Sequence, residues 1–361
     1  MDTASFLDLI SGRKQGLLAS GSRLGLRILS YGYSAAARIR NLLFDVGWKR
    51  SHEVSASIIS VGNLTTGGTG KTPFVAYLAN YFTERNIKVG LLSRGYGSLD
   101  GEENDEKRVL NRLCPGVPHR QNPNRVQIAR ESVAEDHTSV LILDDGFQHR
   151  RLARDFDIVL IDATNPWGYG HILPRGLLRE PRTGLKRASL AVITRVDQIS
   201  PDQLTQLRTE INRIAPDLKV IEVSYPADQF IGLDNELTPL VAHPNEKVVA
   251  FCGIGNPDSF YQMLTHAGFA LAPETFRIFP DHHAYSKTDL NSLAEFAHQH
   301  HASSVLTTLK DLVKISPNDW TGPPLKAVSI RTQIHAGADE LHQHLDRFIQ
   351  PKPASDPDAH G

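Results

Sequence analysis

A run of small and hydroxylated residues that cannot pack stands between two segments that must. From Ser57 to Phe82 the chain reads SIISVGNLTTGGTGKTPFVAYLANYF. Ser57 to Val61 is apolar and β-branched, which predicts a strand, and Phe74, Val75, Leu78 and Phe82 recur at helical spacing. The loop between them therefore joins a strand to a helix N-terminus. Backbone N–H groups in such a place hold an anion, phosphate above all, when glycines let the chain turn them inward. The closing Gly70-Lys71-Thr72 fits G-x-x-x-x-G-K-[ST], with Thr65 where the first glycine would stand. Thr65, Thr66, Gly67, Gly68, Thr69 and Gly70 are then expected to cradle the phosphates of ATP, Lys71 to reach the β- and γ-phosphates, and the Thr72 hydroxyl to bind Mg²⁺. A glycine-rich turn with no ligand is the other possibility open to these residues. Pro73 is tolerated early in a helix, where its missing N–H has no intrahelical partner.

A phosphate loop of this type needs a second strand that ends in acid, and Val140-Leu141-Ile142-Leu143 followed by Asp144-Asp145 supplies one. Extended neighbours point to opposite faces, so at most one of the two would meet Mg²⁺ directly if both were strand-like. A solvated turn is the plainer alternative.

Other continuous apolar runs fall at 88–95, 139–146, 156–163, 190–197 and 218–225, the pattern of a parallel sheet covered on both faces. A weaker stretch over 226–246 separates them from a second set: strands at 247–256, 304–311 and 324–330, and a helix from Ser259 to His266. The expected fold is α/β and P-loop NTPase-like, a mostly parallel sheet with helices on both faces, plus a smaller C-terminal α/β domain. Gly253-x-Gly255 lacks the third glycine of a dinucleotide fingerprint, since Asp258 stands there, and reads as a strand-to-helix turn. His298, His300 and His301 read as a solvated helix face.

A net charge of −1 gives no global field for nucleic acid. Cys114 and Cys252 lack C-x-x-C spacing, which speaks against a disulfide framework or structural zinc and suits a reducing cytoplasm. With no secretory pattern and no uncharged apolar run long enough to span a bilayer, the chain is expected to be neither exported nor membrane-spanning.

The first fifty residues differ. Arg13, Lys14, Arg23, Arg27, Arg38, Arg40, Lys49 and Arg50 face only Asp2, Asp8 and Asp45, an excess of five positive charges. Leu24, Ile28, Tyr31, Ala35, Ile39, Leu42 and Val46 form one apolar stripe at helical spacing, and Trp48 follows. Such a basic amphipathic helix is either an anchor on an anionic membrane surface or a helix packed on its own domain.

In order along the chain, NLTTGGTGKTP, LSRGYG (92–97), DDGFQHRRLARDFDIVLIDA (144–163), LPRGLLREP (173–181), GIGNPDSF (253–260) and FPDHHAY (279–285) resemble the tetraacyldisaccharide 4′-kinases of lipid A synthesis. The resemblance implies transfer of the ATP γ-phosphoryl group to the 4′-hydroxyl of a lipid A disaccharide precursor, with Mg²⁺. It also implies a peripheral enzyme on the cytoplasmic face of the bacterial inner membrane, held by its N-terminal helix, with no nucleic acid and no obligate protein partner. Asp105 matches the family's candidate base, with Asn104 in place of a glycine, and His282 matches a histidine that would orient it. A run of surface charge over Glu102, Glu103, Asp105 and Glu106 is the alternative for Asp105. By the same resemblance Gln148 contacts nucleotide or metal, Asp144 and Asp145 join Thr72 at the metal, and Arg94, Glu106, Arg125 and Arg179 serve the substrate. Thr308-Leu309-Lys310-Asp311 stands where the family has T-E-K-D.

The implied domains are a basic amphipathic region over 1–50, a P-loop domain over 51–230, a smaller domain over 245–350 closing on the site, and a disordered tail over 351–361. On that division Asp105 and His282 belong to different domains and meet only on closure. Two rivals remain: a membrane-recruited nucleotide switch without lipid transfer, supported by Thr194-Arg195-Val196-Asp197, and a ligase or kinase of a soluble small molecule.

Overall fold

The computed structural model describes residues 3–95, 104–243 and 246–350; Glu102, Glu103 and the tail beyond 350 lie outside them. In chain order the helices are α1 (Thr3–Ser11), α2 (Leu17–Asp45), α3 (Lys71–Thr83), α4 (Asp105–Leu113), α5 (Arg125–Glu135), α6 (Pro201–Ile214), α7 (Pro257–His266), α8 (Lys287–Gln299), α9 (Leu309–Leu312) and α10 (Ala338–Asp346). The strands are β1 (Ser57–Asn63), β2 (Val89–Ser93), β3 (His119–Gln121), β4 (Val140–Asp144), β5 (Phe156–Asp162), β6 (Leu190–Thr194), β7 (Lys219–Ser224), β8 (Ala227–Gly232), β9 (Leu237–Pro239), β10 (Val248–Cys252), β11 (Phe276–Ile278), β12 (Ser304–Thr308), β13 (Leu325–Ile330) and β14 (Gln333–Ala336). The chain divides into two compact units. The first comprises the described residues up to 94, 117–224 and those from 334 onward; the second comprises those of 95–116 and 225–333.

The first unit is built on an eight-stranded sheet of order β14-β7-β6-β5-β1-β4-β2-β3. β1 lies at its centre, parallel to β4 on one side and β5 on the other, with Val61 opposite Asp144. Every residue of β1 and of β4 is buried, as the unbroken apolar runs require of strands covered on both faces. β1 and β4 deliver their carboxyl ends to one edge, where ligands of open α/β sheets bind.

α2 belongs to this unit and docks in an unexpected way. The residues it buries are small: Ala19, Ser30 and Ala37. Ser30 donates its hydroxyl to the Ile172 carbonyl at 2.9 Å and accepts the Arg175 N–H at 3.0 Å. Arg150 pairs with Asp45 at 2.7 Å. The apolar stripe points the other way, with Leu24, Ile28, Tyr31, Ile39, Leu42 and Val46 all more than half exposed.

The second unit carries a six-stranded sheet, β11-β10-β12-β13-β8-β9. Its members β11, β10, β12 and β13 are parallel, and β8 joins antiparallel to β13. The weak stretch after 226 is therefore a hairpin, β8 with β9, that completes this sheet. α4 also belongs here, contrary to the sequence-based boundary at 230. Its Val109 is buried with Ile231, Phe251, Leu293 and Leu312, and Leu113 packs on the same cluster. Conversely, β14 lies beside β7, and α10 buries Leu341 and Leu345 in the first unit.

Candidate active site

The phosphate loop leaves β1 at Asn63, which is fully buried because both ends of its amide are used. Asn63 Nδ2 donates to Thr69 Oγ1 at 3.2 Å, and its Oδ1 accepts from Lys71 Nζ at 3.4 Å. Gly67 sits at φ 114° and Gly70 at φ 84°, in the region that glycine enters without steric cost, and Gly70 is the residue that precedes α3. Two neighbouring segments brace the loop. On one side Thr66 donates its N–H to the Leu177 carbonyl at 2.7 Å, Thr65 bridges Leu178, and Arg179 donates its N–H to Leu64 at 2.7 Å. On the other, Thr194 Oγ1 donates to the Thr69 carbonyl at 3.0 Å, and the Arg195 guanidinium donates to Gly68 at 2.6 Å while pairing with Asp162. Thr194-Arg195, which in sequence supported a nucleotide switch, is here a strap across the loop.

Strand β4 ends at Asp144, and Asp145 turns into the left-handed region at φ 52°, so the two acids are not extended neighbours. Asp145 meets Arg179 at 2.7 Å and Lys71 at 3.6 Å. Burial raises the proton affinity of its carboxyl, but Lys71, Arg179 and Arg125 outweigh it and hold the group below the usual carboxylate range. Asp144 is buried, and its carbonyl accepts from buried Arg125 at 3.5 Å. Gln148 has protein partners: its Nε2 donates to the Asn63 carbonyl and to Glu180 Oε1, each at 2.9 Å. Glu180 is completely buried and also accepts from Asn41 of α2 at 3.0 Å and pairs with Arg187 at 2.9 Å. Sequence reasoning passed over Asn63 and Glu180, though an Asn closing an apolar strand and a Glu inside LLREP were there to be questioned. Arg94 lies exposed at the end of β2.

The second unit holds the other acid. Asp105 is the first residue of α4, capped by Asn104, whose side chain accepts the Lys107 N–H at 2.9 Å. Its Oδ2 lies 3.5 Å from His282 Nδ1 and 3.4 Å from Lys314 Nζ. The pair thus forms inside one unit, which overturns the expectation that Asp105 and His282 meet only when two domains close. α4 is tied to the second unit by its apolar face, so the acid travels with the histidine. His282 is in the left-handed region at φ 59°, its N–H donating to the Gly253 carbonyl at 3.2 Å. Glu106, beside Asp105, is exposed. Leu309 is buried in the core cluster with Leu312 and Val109, so an apolar residue is at home at that position.

Known proteins resemble this chain over most of its length. The family model described as tetraacyldisaccharide-1-P 4′-kinase matches residues 22–350. A tetraacyldisaccharide 4′-kinase of Anaeromyxobacter dehalogenans is 36% identical over 336 residues, covering 88% of each chain. One from Halothermothrix orenii is 38% identical over 322 residues, covering 81% of this chain and 83% of the relative. The crystal structure of LpxK from Aquifex aeolicus in complex with ATP superposes with a TM-score of 0.73 at 27% identity, over 91% of this chain and 99% of that one. With the phosphate loop and both acid sites inside the matched span, the chain belongs to the tetraacyldisaccharide-1-P 4′-kinase family.

Proposed function

We propose that the protein transfers the γ-phosphoryl group of ATP to the 4′-hydroxyl of a tetraacyldisaccharide 1-phosphate, a lipid A precursor. The family match over 22–350 carries this reading, and the Gly-Lys-Thr loop at the carboxyl edge of the central strand supports it. In the reaction the sugar oxygen forms a bond to the γ-phosphorus, the bond from that phosphorus to the β–γ bridging oxygen breaks, and ADP departs. Backbone N–H groups of 65–70 hold the phosphates, and Lys71 leaves Asp145 to reach the transferring group. Arg179 and Arg125 contribute fixed positive charge to phosphate or substrate, and Arg94 and Glu106 are assigned to the substrate. Asp105 accepts the hydroxyl proton, and His282 orients it.

The donors present suit Mg²⁺: a hydroxyl at Thr72 and carboxylates at Asp144 and Asp145 are hard oxygens, and this ion takes its remaining ligands from phosphate and water. When bound there, it would neutralise charge that develops on the phosphate during transfer. Gln148, held by Asn63 and Glu180, braces the end of β1 beneath this site.

The exposed stripe of α2 supports a seat on an anionic membrane surface, and the substrate is itself a lipid. No helix among the described residues is long and apolar enough to cross a membrane, so the association proposed is peripheral, at the cytoplasmic face of the inner membrane. The test is to incubate the purified protein with γ-labelled ATP and a lipid A disaccharide precursor. Label in the lipid is the expected result; release of labelled inorganic phosphate alone would favour a nucleotide switch.

A further inference from the structure

We infer that Lys314 is a second positioning residue for Asp105, beside His282, and that buried Asp311 is the anchor that aims it. This rests on the assignment of Asp105 as the base. The Lys314 side chain is only 8% exposed, and its ammonium sits between two carboxylates, 3.4 Å from Asp105 Oδ2 and 3.7 Å from Asp311 Oδ1. A lysine withdrawn from water needs such partners, since an unpaired buried charge is costly.

Asp311 cannot move to suit its neighbours. It is fully buried, and its Oδ2 accepts the Gly253 N–H at 3.1 Å and the Thr308 hydroxyl at 2.6 Å. Its Oδ1 accepts the Tyr285 hydroxyl at 3.0 Å. Tyr285 is fixed in turn by edge-on contacts with Phe251 and Phe279. A rigid acid therefore holds a nearly buried cation, and that cation reaches the carboxylate at the start of α4.

His282 is a weaker fixture. Its side chain is 64% exposed, and a surface pair of that kind contributes little to holding geometry. Of the two groups on Asp105, Lys314 is the one whose own position is set from behind. General-base catalysis depends on a carboxylate kept within hydrogen-bond reach of the proton it takes, and a displacement of about 1 Å can cost ~10²-fold in rate. Lys314 touches no reacting atom in this scheme; it acts through Asp105.

The experiment uses the full chain with Lys314→Met, Lys314→Arg, Asp105→Ala and the double variant Lys314→Met/Asp105→Ala, measuring kcat, KM for ATP and thermal unfolding. Asp105→Ala should lower kcat by roughly 10²–10⁴-fold. Lys314→Met should lower kcat by roughly 10–10²-fold with KM for ATP unchanged, Lys314→Arg should restore most of the loss, and the double variant should be no slower than Asp105→Ala alone. If Lys314→Met does not fold, Lys314→Gln, which keeps a polar stem without the charge, takes its place with the same expectation. Wild-type kcat in the Lys314 variant beside an inactive Asp105→Ala enzyme would overturn this inference and leave the base intact. A multiplicative loss in the double variant would overturn it as well, by giving Lys314 a role of its own. Wild-type kcat in Asp105→Ala would overturn the assignment of the base and this inference with it.

Discussion

Helices α2 and α3 both carry large apolar residues at helical spacing, yet they put them to opposite uses. α3 is 13 residues long and buries Phe74, Val75, Leu78, Tyr81 and Phe82 against the sheet. α2 is 29 residues long and buries Ala19, Ser30 and Ala37, leaving most of its leucines and both its isoleucines outward. Spacing tells that a helix has an apolar face; it does not tell which solvent that face is built for. A face of small residues lets α2 lie close to the loop at Ile172 to Arg175, and hydrogen bonds through Ser30 and Asn41 take the place of a greasy seam. Burying its stripe would have favoured the folded unit at roughly 25 cal/mol per Å² of apolar area, and the chain forgoes that gain.

The comparison breaks most sharply at the first residue of α3. Lys71→Ala should lower phosphoryl transfer by on the order of 10²–10³-fold or more while the protein unfolds at its usual temperature, because Lys71 serves phosphate and not the core. A purified variant with near-normal turnover would remove the loop from the reaction. Next in size is Phe82→Ala on the buried face of α3, where loss of a fully buried ring should cost about 3–5 kcal/mol in chemical denaturation. Leu24→Ala on α2 should stay within about 0.5 kcal/mol of wild type, and an equal cost at the two sites would show that the α2 stripe is packed after all.

Leu24→Glu with Ile28→Glu should leave stability and transfer to detergent-dispersed substrate unchanged but release the protein from vesicles of anionic lipid. Added salt should weaken wild-type binding, since the attraction from the basic residues is screened over ~8 Å at physiological ionic strength. Flotation indifferent to both treatments would sink the membrane assignment.

A pH dependence is also expected, on the α3 side alone. His149 follows the loop that brings Asp145 to Lys71, and burial, with Arg125, Arg151 and Arg154 nearby, pushes its pKa down from 6.5 to about 4. Between those values the unfolded chain binds a proton that the folded one does not, so stability is full above pH 6.5 and declines as pH falls toward 4. His149→Gln should flatten the unfolding temperature over that window, and an unchanged slope would locate the effect elsewhere. α2 has no histidine, so vesicle binding should not follow the same curve.

Much of the first unit was legible because its signals are local. Continuous apolar runs mark β1, β2, β4, β5, β6 and β7, and glycine with Gly-Lys-Thr marks the loop wherever the rest of the chain goes. What sequence missed depends on partners far away. β8 is a modest stretch whose strand character comes from pairing with β13 about a hundred residues later. Val109 looks the same whichever core receives it, so nothing local assigned α4 to the second unit. Lys314 gains meaning only beside Asp105, more than two hundred residues earlier. The α2 stripe was visible, but its direction was set by Ala19, Ser30 and Ala37, residues too small to stand out.

The first unit is assembled from pieces that leave the ribosome at very different times. Its β14 and α10 come from the last part of the described chain, after the whole second unit has been made. Until they arrive, β7 has an open flank, and on α3 the Tyr77 hydroxyl lacks His342 at 2.7 Å and the Tyr81 hydroxyl lacks Asp346 at 2.6 Å. Translation at about 5–20 residues per second makes that interval one of several seconds, during which the nucleotide-binding half is held short of completion by the order of its own synthesis. A nascent chain halted before residue 334 would carry the entire phosphate loop and still lack the last layer that closes over its helix.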